Sequence, residues 1–483
     1  MFTRKAILLA AFFIYTISAV FNNGFYYYDE HYQLIEFAEL KSGENKPSDL
    51  AWEYKAKIRP AIQPLIAYLF LSVAKAFNVT DPYVSMMGLR FLTAILAVLI
   101  ISYFIKQTDF LIKPDFKIWY NLLSYFLWFL PFINARFSSE SYAGLTFILG
   151  LAILLSNLKY KFILTGALLG LSFLFRFQTA FMSLGLILWI IFIYQSRLSN
   201  ICKLLLGGIA VLTLGFVIDY WYYGQLTATF VNYYIANVVN DVASGYGRSP
   251  WYFYLTESTG AATIPLGLLI WVCLCIQLIV NNRNFISWVL LPFLIVHLIV
   301  PHKELRFLFP IVNFIPLTMV LSLQTLGGFS LFKTTFKWSA LVSVMLIFEN
   351  CVALLMIMLS PADDEGRANI TQKIHNDYSN RKVVLLTTKG ANPYQPIPIK
   401  QHFYFDKNVD DQPLNLFTPI QFDNNVKTLV VIQADQISYY TFLFEPYKLN
   451  KLETGIPDWI CYIKTFTGYE NHSLLLFEVM PKN

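Results

Sequence analysis

Four ionisable side chains, His302, Lys303, Glu304 and Arg306, fall within five residues of a chain that is apolar on either side. Upstream runs W-V-L-L-P-F-L-I-V-H-L-I-V, and downstream runs F-L-F-P-I-V-N-F-I-P-L. Charge beside hydrocarbon is costly, so such a cluster at the mouth of two membrane helices points to function. His, Lys and Arg together suit an anionic headgroup or a phosphate, which arginine grips with two oxygens at once. The competing reading is that all four snorkel into the headgroup layer and set helix depth. A second constellation, Y-Y-Y-D-E-H-Y-Q, follows the first apolar run directly and carries Asp29, Glu30, His31 and Gln33. Adjacent carboxylates at a membrane interface offer a general base, one of them desolvated toward working pH. An isolated Asp-Glu is more often a solvated loop start. Here the tyrosine run and the other charged loops shift the weighing toward chemistry.

Further polar islands interrupt the apolar sequence. A-W-E-Y-K-A-K-I-R-P offers Trp52 and Tyr54 to stack on a sugar or anchor at the interface, and Arg59 to bind phosphate or snorkel. N-A-R-F-S-S-E-S holds Arg136 and Glu140. R-F-Q-T-A holds Arg176 and Gln178, and an arginine there needs an anionic partner, either a carboxylate or a ligand. Residues 221–259 are dense in aromatics around Gly224, Gly245, Gly247, Pro250 and Trp251. They suit a groove for a lipid chain or carbohydrate, or an amphipathic helix on the bilayer. The first loop has no D-x-D motif, and no metal or other cofactor is expected.

The elements that must position these residues are membrane helices. The chain has 483 residues, 56% hydrophobic and only 14% charged, with a net charge of +6, and a mean hydropathy of +0.52. A soluble domain could not hide that much apolar surface, so the class is α-helical polytopic membrane protein. Apolar runs at about 5–21, 84–105, 118–133, 141–157, 162–175, 179–194, 203–220, 260–280, 285–300, 306–326 and 337–359 predict about eleven transmembrane helices. Five of them are short for about 30 Å of hydrocarbon and would sit in extended or thinned surroundings. The run 60–77, interrupted by Pro64 and carrying Lys75, reads as interfacial or re-entrant. With that assignment every loop on the N-terminal side carries Lys or Arg, including Arg4 and Lys5, Lys113, Lys161, Arg197, Arg283 and Lys333. That side is therefore expected to be cytoplasmic, and the polar islands face away from it. The first run reads as an uncleaved helix, since no small-residue cleavage site precedes the polar stretch. The five cysteines lie mostly in apolar runs, and since only Cys461 falls in the polar tail, no disulfide is expected within that domain. The division is a transmembrane domain over 1–360, with outer loops 22–83 and 221–259 on the active side, and a soluble non-cytoplasmic domain over 361–483. V-V-L-L-T-T, T-L-V-V-I-Q, Y-T-F-L-F, W-I-C-Y-I-K-T-F and S-L-L-L-F-E-V predict a small α/β or mostly β fold there.

These residues resemble the GT-C superfamily of lipid-linked-sugar glycosyltransferases. Within it the chain is most similar to family 22, the Alg9-like mannosyltransferases, and to the group that adds the third mannose of GPI anchors. That group's D-E-x-x-Q is matched by Asp29, Glu30 and Gln33, and its W-E-W…R stretch more loosely by Trp52, Glu53, Tyr54 and Arg59. Its S-x-S-x-E loop is approximated by Ser138, Ser139 and Glu140. Its Y-G-x-L…N…Y-G-x-x-P-W loop is echoed by Tyr223, Gly224, Leu226, Asn232, Asn237, Tyr246, Gly247, Pro250 and Trp251. H-K-E-x-R-F-L is present in full from His302 to Leu308. The chain departs at Tyr27-Tyr28, where the family often has His-Pro, and at Trp251-Tyr252-Phe253-Tyr254, where it has W-x-W-Y.

The resemblance implies an inverting enzyme that moves a sugar, most simply mannose, from a polyprenyl-phosphate-linked donor. The acceptor would be a glycan or glycolipid hydroxyl on the non-cytoplasmic face, in the endoplasmic reticulum of a eukaryote or the plasma membrane of a bacterium. Asp29 would deprotonate the acceptor, and Glu30 would orient it or share the proton. His302, Lys303 and Arg306 would hold the donor phosphate, with Gln33, Trp52, Arg59, Glu140, Arg176 and Trp251 binding substrate. Donor, acceptor and lipid bilayer are the expected partners, and nucleic acid is not. A transporter or flippase for lipid-linked glycans is the rival. It would favour charges at the midplane and an inverted repeat, whereas the charges collect on one side and no such repeat is legible. A scaffold acting through its tail would leave Asp29 and the 302–306 cluster without a role.

Overall fold

The computed structural model describes residues 3–327, 336–363, 365–415, 420, 426–466 and 470–482. Lys333, counted above among the cytoplasmic basic residues, lies outside them. Helices dominate, with one five-stranded sheet toward the C-terminus. The chain separates into two units. One comprises residues 1–19, 56–66 and 89–355, and the other 20–55, 67–88 and 356–483.

The first unit is a helix bundle. Lipid tails are as apolar as leucine, so helices in a bilayer associate by close packing at small residues. Glycines make that packing here. A Cβ on Gly166, in Lys161–Phe175, would lie 1.8 Å from the Leu204 carbonyl of Leu198–Tyr223, and one on Gly207 would lie 2.0 Å from the Ile163 carbonyl. Gly185 is equally close to the Trp288 carbonyl. Tyr15, Tyr120, Phe147, Phe293 and Phe314 fill the interior.

Among the described residues five helices are long and apolar enough to cross a membrane: Arg4–Phe21, Pro82–Leu111, Leu198–Tyr223, Leu305–Leu326 and Leu341–Met358. A sixth arises if Phe129–Ala135 and Ser139–Leu155 count as one span, though they meet at 99°. Arg136, Phe137 and Ser138 break that span, and Ser138 caps the second helix by accepting a hydrogen bond from the Ser141 amide at 3.2 Å. Other apolar runs form shorter helices, among them Lys161–Phe175, Thr179–Phe192, Ile264–Ile279 and Phe285–Ile299. Ile62–Ala76, within the run read as interfacial, has 15 residues. At 1.5 Å per residue that reaches about 22 Å, short of the hydrocarbon thickness.

The second unit holds the sheet, in the order β2-β1-β3-β5-β4. Its strands are β1 (Val383–Thr387), β2 (Val409–Pro413), β3 (Lys427–Gln433), β4 (Tyr447–Thr454) and β5 (Leu474–Pro481). β1 pairs in parallel with β2 and β3, and β5 runs antiparallel to β3 and β4. Central β3 is covered on both faces, so Leu429, Val430, Val431 and Ile432 are all buried, which explains its unbroken apolar run. Ile370, Ile374 and Tyr378 of the helix Arg367–Tyr378 cover one face, and Tyr440 and Phe444 cover the other. Three of the five runs expected as strands are strands. Y-T-F-L-F and W-I-C-Y-I-K-T-F are instead helical, over Ile437–Tyr440 with Thr441–Phe444 and over Asp458–Phe466. Short apolar runs do not distinguish the two by periodicity. Edge strand β4, Y-K-L-N-K-L-E-T, carries the lysines that discourage edge pairing and lacks the apolar run of a buried strand.

Candidate active site

The 302–306 segment is not one helix face. Residues 301–304 are irregular, and a 3₁₀ stretch, Leu305–Phe314, follows with Pro310 inside it. The charges are joined through carboxylates instead. Glu304 accepts from Arg306 Nε at 2.5 Å and lies 3.0 Å from His302 Nε2. Glu140, at the start of the helix Ser139–Leu155, lies 3.0 Å from Arg176 Nη2 and 3.6 Å from Arg306 Nη1. The partner that Arg176 requires is therefore Glu140, and Glu304 serves Arg306 and His302. Both guanidiniums sit over the Phe307 ring, at 5.1 Å for Arg176 and 5.5 Å for Arg306. Glu140, Arg176, Lys303 and Arg306 are all buried. Arg176 and Arg306 thus meet around Glu140, and Glu304 links Arg306 to His302.

Lys303 turns back on the chain. Its ammonium donates to the Ser249 carbonyl at 3.2 Å and to the carbonyl of Val300, the residue closing the helix Phe285–Ile299. A cation there complements the helix's negative end. Burial lowers the Lys303 ammonium from the ordinary lysine range. The Gly-rich loop around Gly245 and Gly247 is tied to the same segment. His302 Nδ1 lies 3.2 Å from the Gly247 carbonyl, and the Ser249 amide donates to the Pro301 carbonyl at 2.9 Å. Trp251 is 67% exposed and stands outside these contacts, while nearby Tyr254 is buried.

Arg59 lies by the beginning of that loop. Its guanidinium is 6.0 Å from the Tyr233 ring, and its carbonyl accepts from the Tyr223 hydroxyl at 2.7 Å. Asp219 completes the clasp by accepting from the Ala61 amide at 2.7 Å and the Thr229 hydroxyl at 2.9 Å. Sequence reasoning passed over Asp219. The only signal was an acid in the last turn of an apolar helix.

Asp29 and Glu30 belong to the second unit, on the short helix Tyr28–Tyr32. Asp29 is half-buried and Glu30 buried, with the Tyr26 amide donating to Glu30 at 3.2 Å. Gln33 donates to Glu53 at 2.8 Å, so D-E-x-x-Q and W-E-Y meet through Glu53, which the motif includes but to which the sequence assigned no role. Trp52 beside it is 37% exposed. His31 is also more than a polar neighbour of the acids. Buried, it stacks between Phe25 at 5.4 Å and Tyr404 at 5.3 Å, with Nε2 2.7 Å from Glu36. Glu36 further accepts from Asn45 and from the Phe403 amide. Burial pushes the Glu36 carboxyl upward, but His31, Phe403 and Asn45 outweigh it and hold the group below the ordinary carboxylate range. Glu39 is pushed up to about 7, by burial first and then by the charges of Glu36 and Glu44.

The helix bundle and the terminal sheet together have the GT-C type of membrane-protein fold. ArnT from Cupriavidus metallidurans, solved bound to undecaprenyl phosphate, superposes over 98% of this chain and 97% of its own, with a TM-score of 0.54 at 10% identity. Residues 7–366 match the Alg9-like mannosyltransferase family, and the chain belongs to it. GPI mannosyltransferase 3 of Debaryomyces hansenii is 23% identical over 96% of this chain and 85% of its own length. The Candida albicans protein of the same name is 25% identical over 85% of this chain and 81% of its own. GPI alpha-1,2-mannosyltransferase 3 of Bos taurus is 26% identical over 41% of this chain and 34% of its own. The protein is a membrane-bound enzyme of the mannosyltransferase class.

Proposed function

We propose that the protein moves mannose from a polyprenyl-phosphate donor to a hydroxyl of a GPI-type glycolipid, with inversion, on the non-cytoplasmic face. The observation that carries this is the buried pair Arg176 and Arg306 sharing Glu140, with Glu304 and His302 completing the chain. Two buried guanidiniums held this close together suit a phosphate, whose charge grows as it leaves. The names of the relatives support mannose and the glycolipid, and the lipid phosphate bound to ArnT supports the donor. The basic loops support sidedness and an eleven-span reading in which the shorter helices also cross.

Asp29 removes the acceptor proton, and Glu30 orients the acceptor. The freed oxygen bonds to the anomeric carbon as the bond from that carbon to the phosphate oxygen breaks. The departing phosphate is neutralised by Arg306, Arg176 and His302, with Lys303 adding to the positive field. Gln33, Trp52, Arg59, Glu140 and Trp251 shape the substrate sites.

The test supplies purified protein with synthetic polyprenyl-phosphate mannose and a GPI-precursor acceptor. Asp29→Asn keeps shape and removes the base, so transfer should vanish while donor binding persists. Glu30→Gln should be damaging but milder. Near-normal turnover by Asp29→Asn would make Asp29 structural. Translocation of lipid-linked glycan without sugar transfer would favour the flippase.

A further inference from the structure

The helix Asp458–Phe466 has two opposed faces. Ile460 and Cys461 are buried, whereas Trp459, Tyr462 and Phe466 are exposed by 42%, 74% and 84%. At 3.6 residues per turn these three aromatics fall within about 60° of one another around the helix. Large aromatics on a water-facing helix of a soluble sheet domain have no stabilising role. At the boundary of a bilayer they have one, because their rings favour the headgroup level.

The buried face shows where this helix stands. Ile456, Ile460 and Cys461 pack with Met356, which lies in the last turn of Phe336–Met358. The span that ends there, Leu341–Met358, is only 11% buried within the protein, so most of it meets lipid. A second span ends at the same level. Asn22 directly follows Arg4–Phe21, and its side chain donates to the Ile357 and Ser360 carbonyls at 2.7 Å each. The Ala362 amide donates to the Asn23 carbonyl at 2.8 Å. Two spans therefore leave the membrane together, and the aromatic helix rests against one of them at its exit.

From this we infer that Asp458–Phe466 lies in the headgroup layer, with Trp459, Tyr462 and Phe466 turned into the bilayer as an interfacial anchor. Its partner is a phospholipid surface. Met356 makes its lipid contact continuous with that of the span. Asp458 and Thr465, exposed on the flank of the stripe, stay in the aqueous layer. The helix belongs to the unit that carries Asp29 and Glu30. The anchor accordingly sets how deep those carboxylates sit, a consequence that rests on the catalytic reading above. The anchor itself does not.

The test uses the full chain in phosphatidylcholine vesicles. Trp459, Tyr462 and Phe466 are replaced one at a time by Cys, with Cys202, Cys275 and Cys351 changed to Ala, and each variant is spin-labelled. Collisions with oxygen, which concentrates in lipid, should exceed those with a water-soluble nickel chelate at all three positions. A label accessible mainly to nickel, or shielded from both, overturns the anchor. Because the substitutions could disturb folding, the unsubstituted protein is also irradiated in vesicles containing a phosphatidylcholine with a photoreactive group near its glycerol. Lipid adducts on residues 458–466 are expected, and their absence overturns the proposal. Either result leaves the assignment of Asp29 to be judged by the transfer assay.

Discussion

Arg306→Lys keeps the charge and removes the fork. Arg306 spans two carboxylates, with Nε 2.5 Å from Glu304 and Nη1 3.6 Å from Glu140. A lysine ammonium is a single point and cannot hold both and also present two donors to a phosphate. Losing one charge-assisted hydrogen bond costs about 1.5–3 kcal/mol. If the bond strengthens as the phosphate leaves, that loss falls on the barrier, and turnover should drop about tenfold to a hundredfold. The Michaelis constant for the donor should rise as well, because part of the interaction exists before transfer. The assay reconstitutes purified variant and unsubstituted protein side by side and measures turnover against synthetic donor concentration. Thermal unfolding of both proteins separates chemistry from folding. Unchanged kinetics in a stably folded Arg306→Lys would refute the donor-site role. A lower folded yield with normal kinetics would assign the residue to helix depth.

Glu140→Gln leaves Arg176 and Arg306 facing each other across a neutral side chain, and removing one member of a buried charge group costs about 3–5 kcal/mol. The unfolding midpoint in detergent should fall clearly, and an unchanged midpoint would mean that Glu140 is not their counter-charge. Gly166→Ala drives a Cβ into the Leu204 carbonyl, which belongs to backbone and cannot swing away, so folded yield should collapse. Gly245→Ala, with nothing within 4 Å, should be tolerated in the same expression assay. Glu39→Gln tests a pH dependence. The Glu39 carboxyl is raised to about 7 in the fold, so the folded protein holds its proton longer than the unfolded chain does. That stabilisation is present in acid and is lost as pH climbs through about 7. Glu39→Gln should therefore gain stability over the unsubstituted protein at pH 8 but not at pH 5, as read from unfolding midpoints, and an equal effect at both would refute the shift.

Membrane class, the charged segment at 302–306 and the family were all legible in the one-dimensional pattern, because hydropathy and contiguous motifs depend on neighbours along the chain. The same holds for β1, β3 and β5, whose runs are mostly apolar because helices cover both faces of the sheet. Other features had no local signature. Glu140, Arg176 and Arg306 meet from three distant segments, and only the packing of their helices selects Glu140 as the shared carboxylate. His31 sits between two catalytic candidates and a glutamine and reads as polar loop, yet Phe25 and Tyr404 enclose its ring. Length and hydropathy alone could not say which apolar runs become long spans and which become short helices, since breaks such as that at 136–138 depend on what receives the exposed backbone groups. W-I-C-Y-I-K-T-F could have been strand or helix until Met356 offered a surface for Ile460 and Cys461. Local sequence determined which groups were too costly to leave beside lipid without a purpose. Tertiary structure decided which of them satisfy one another, because a buried charge is stabilised by whatever stands within a few ångströms of it, however far away along the chain.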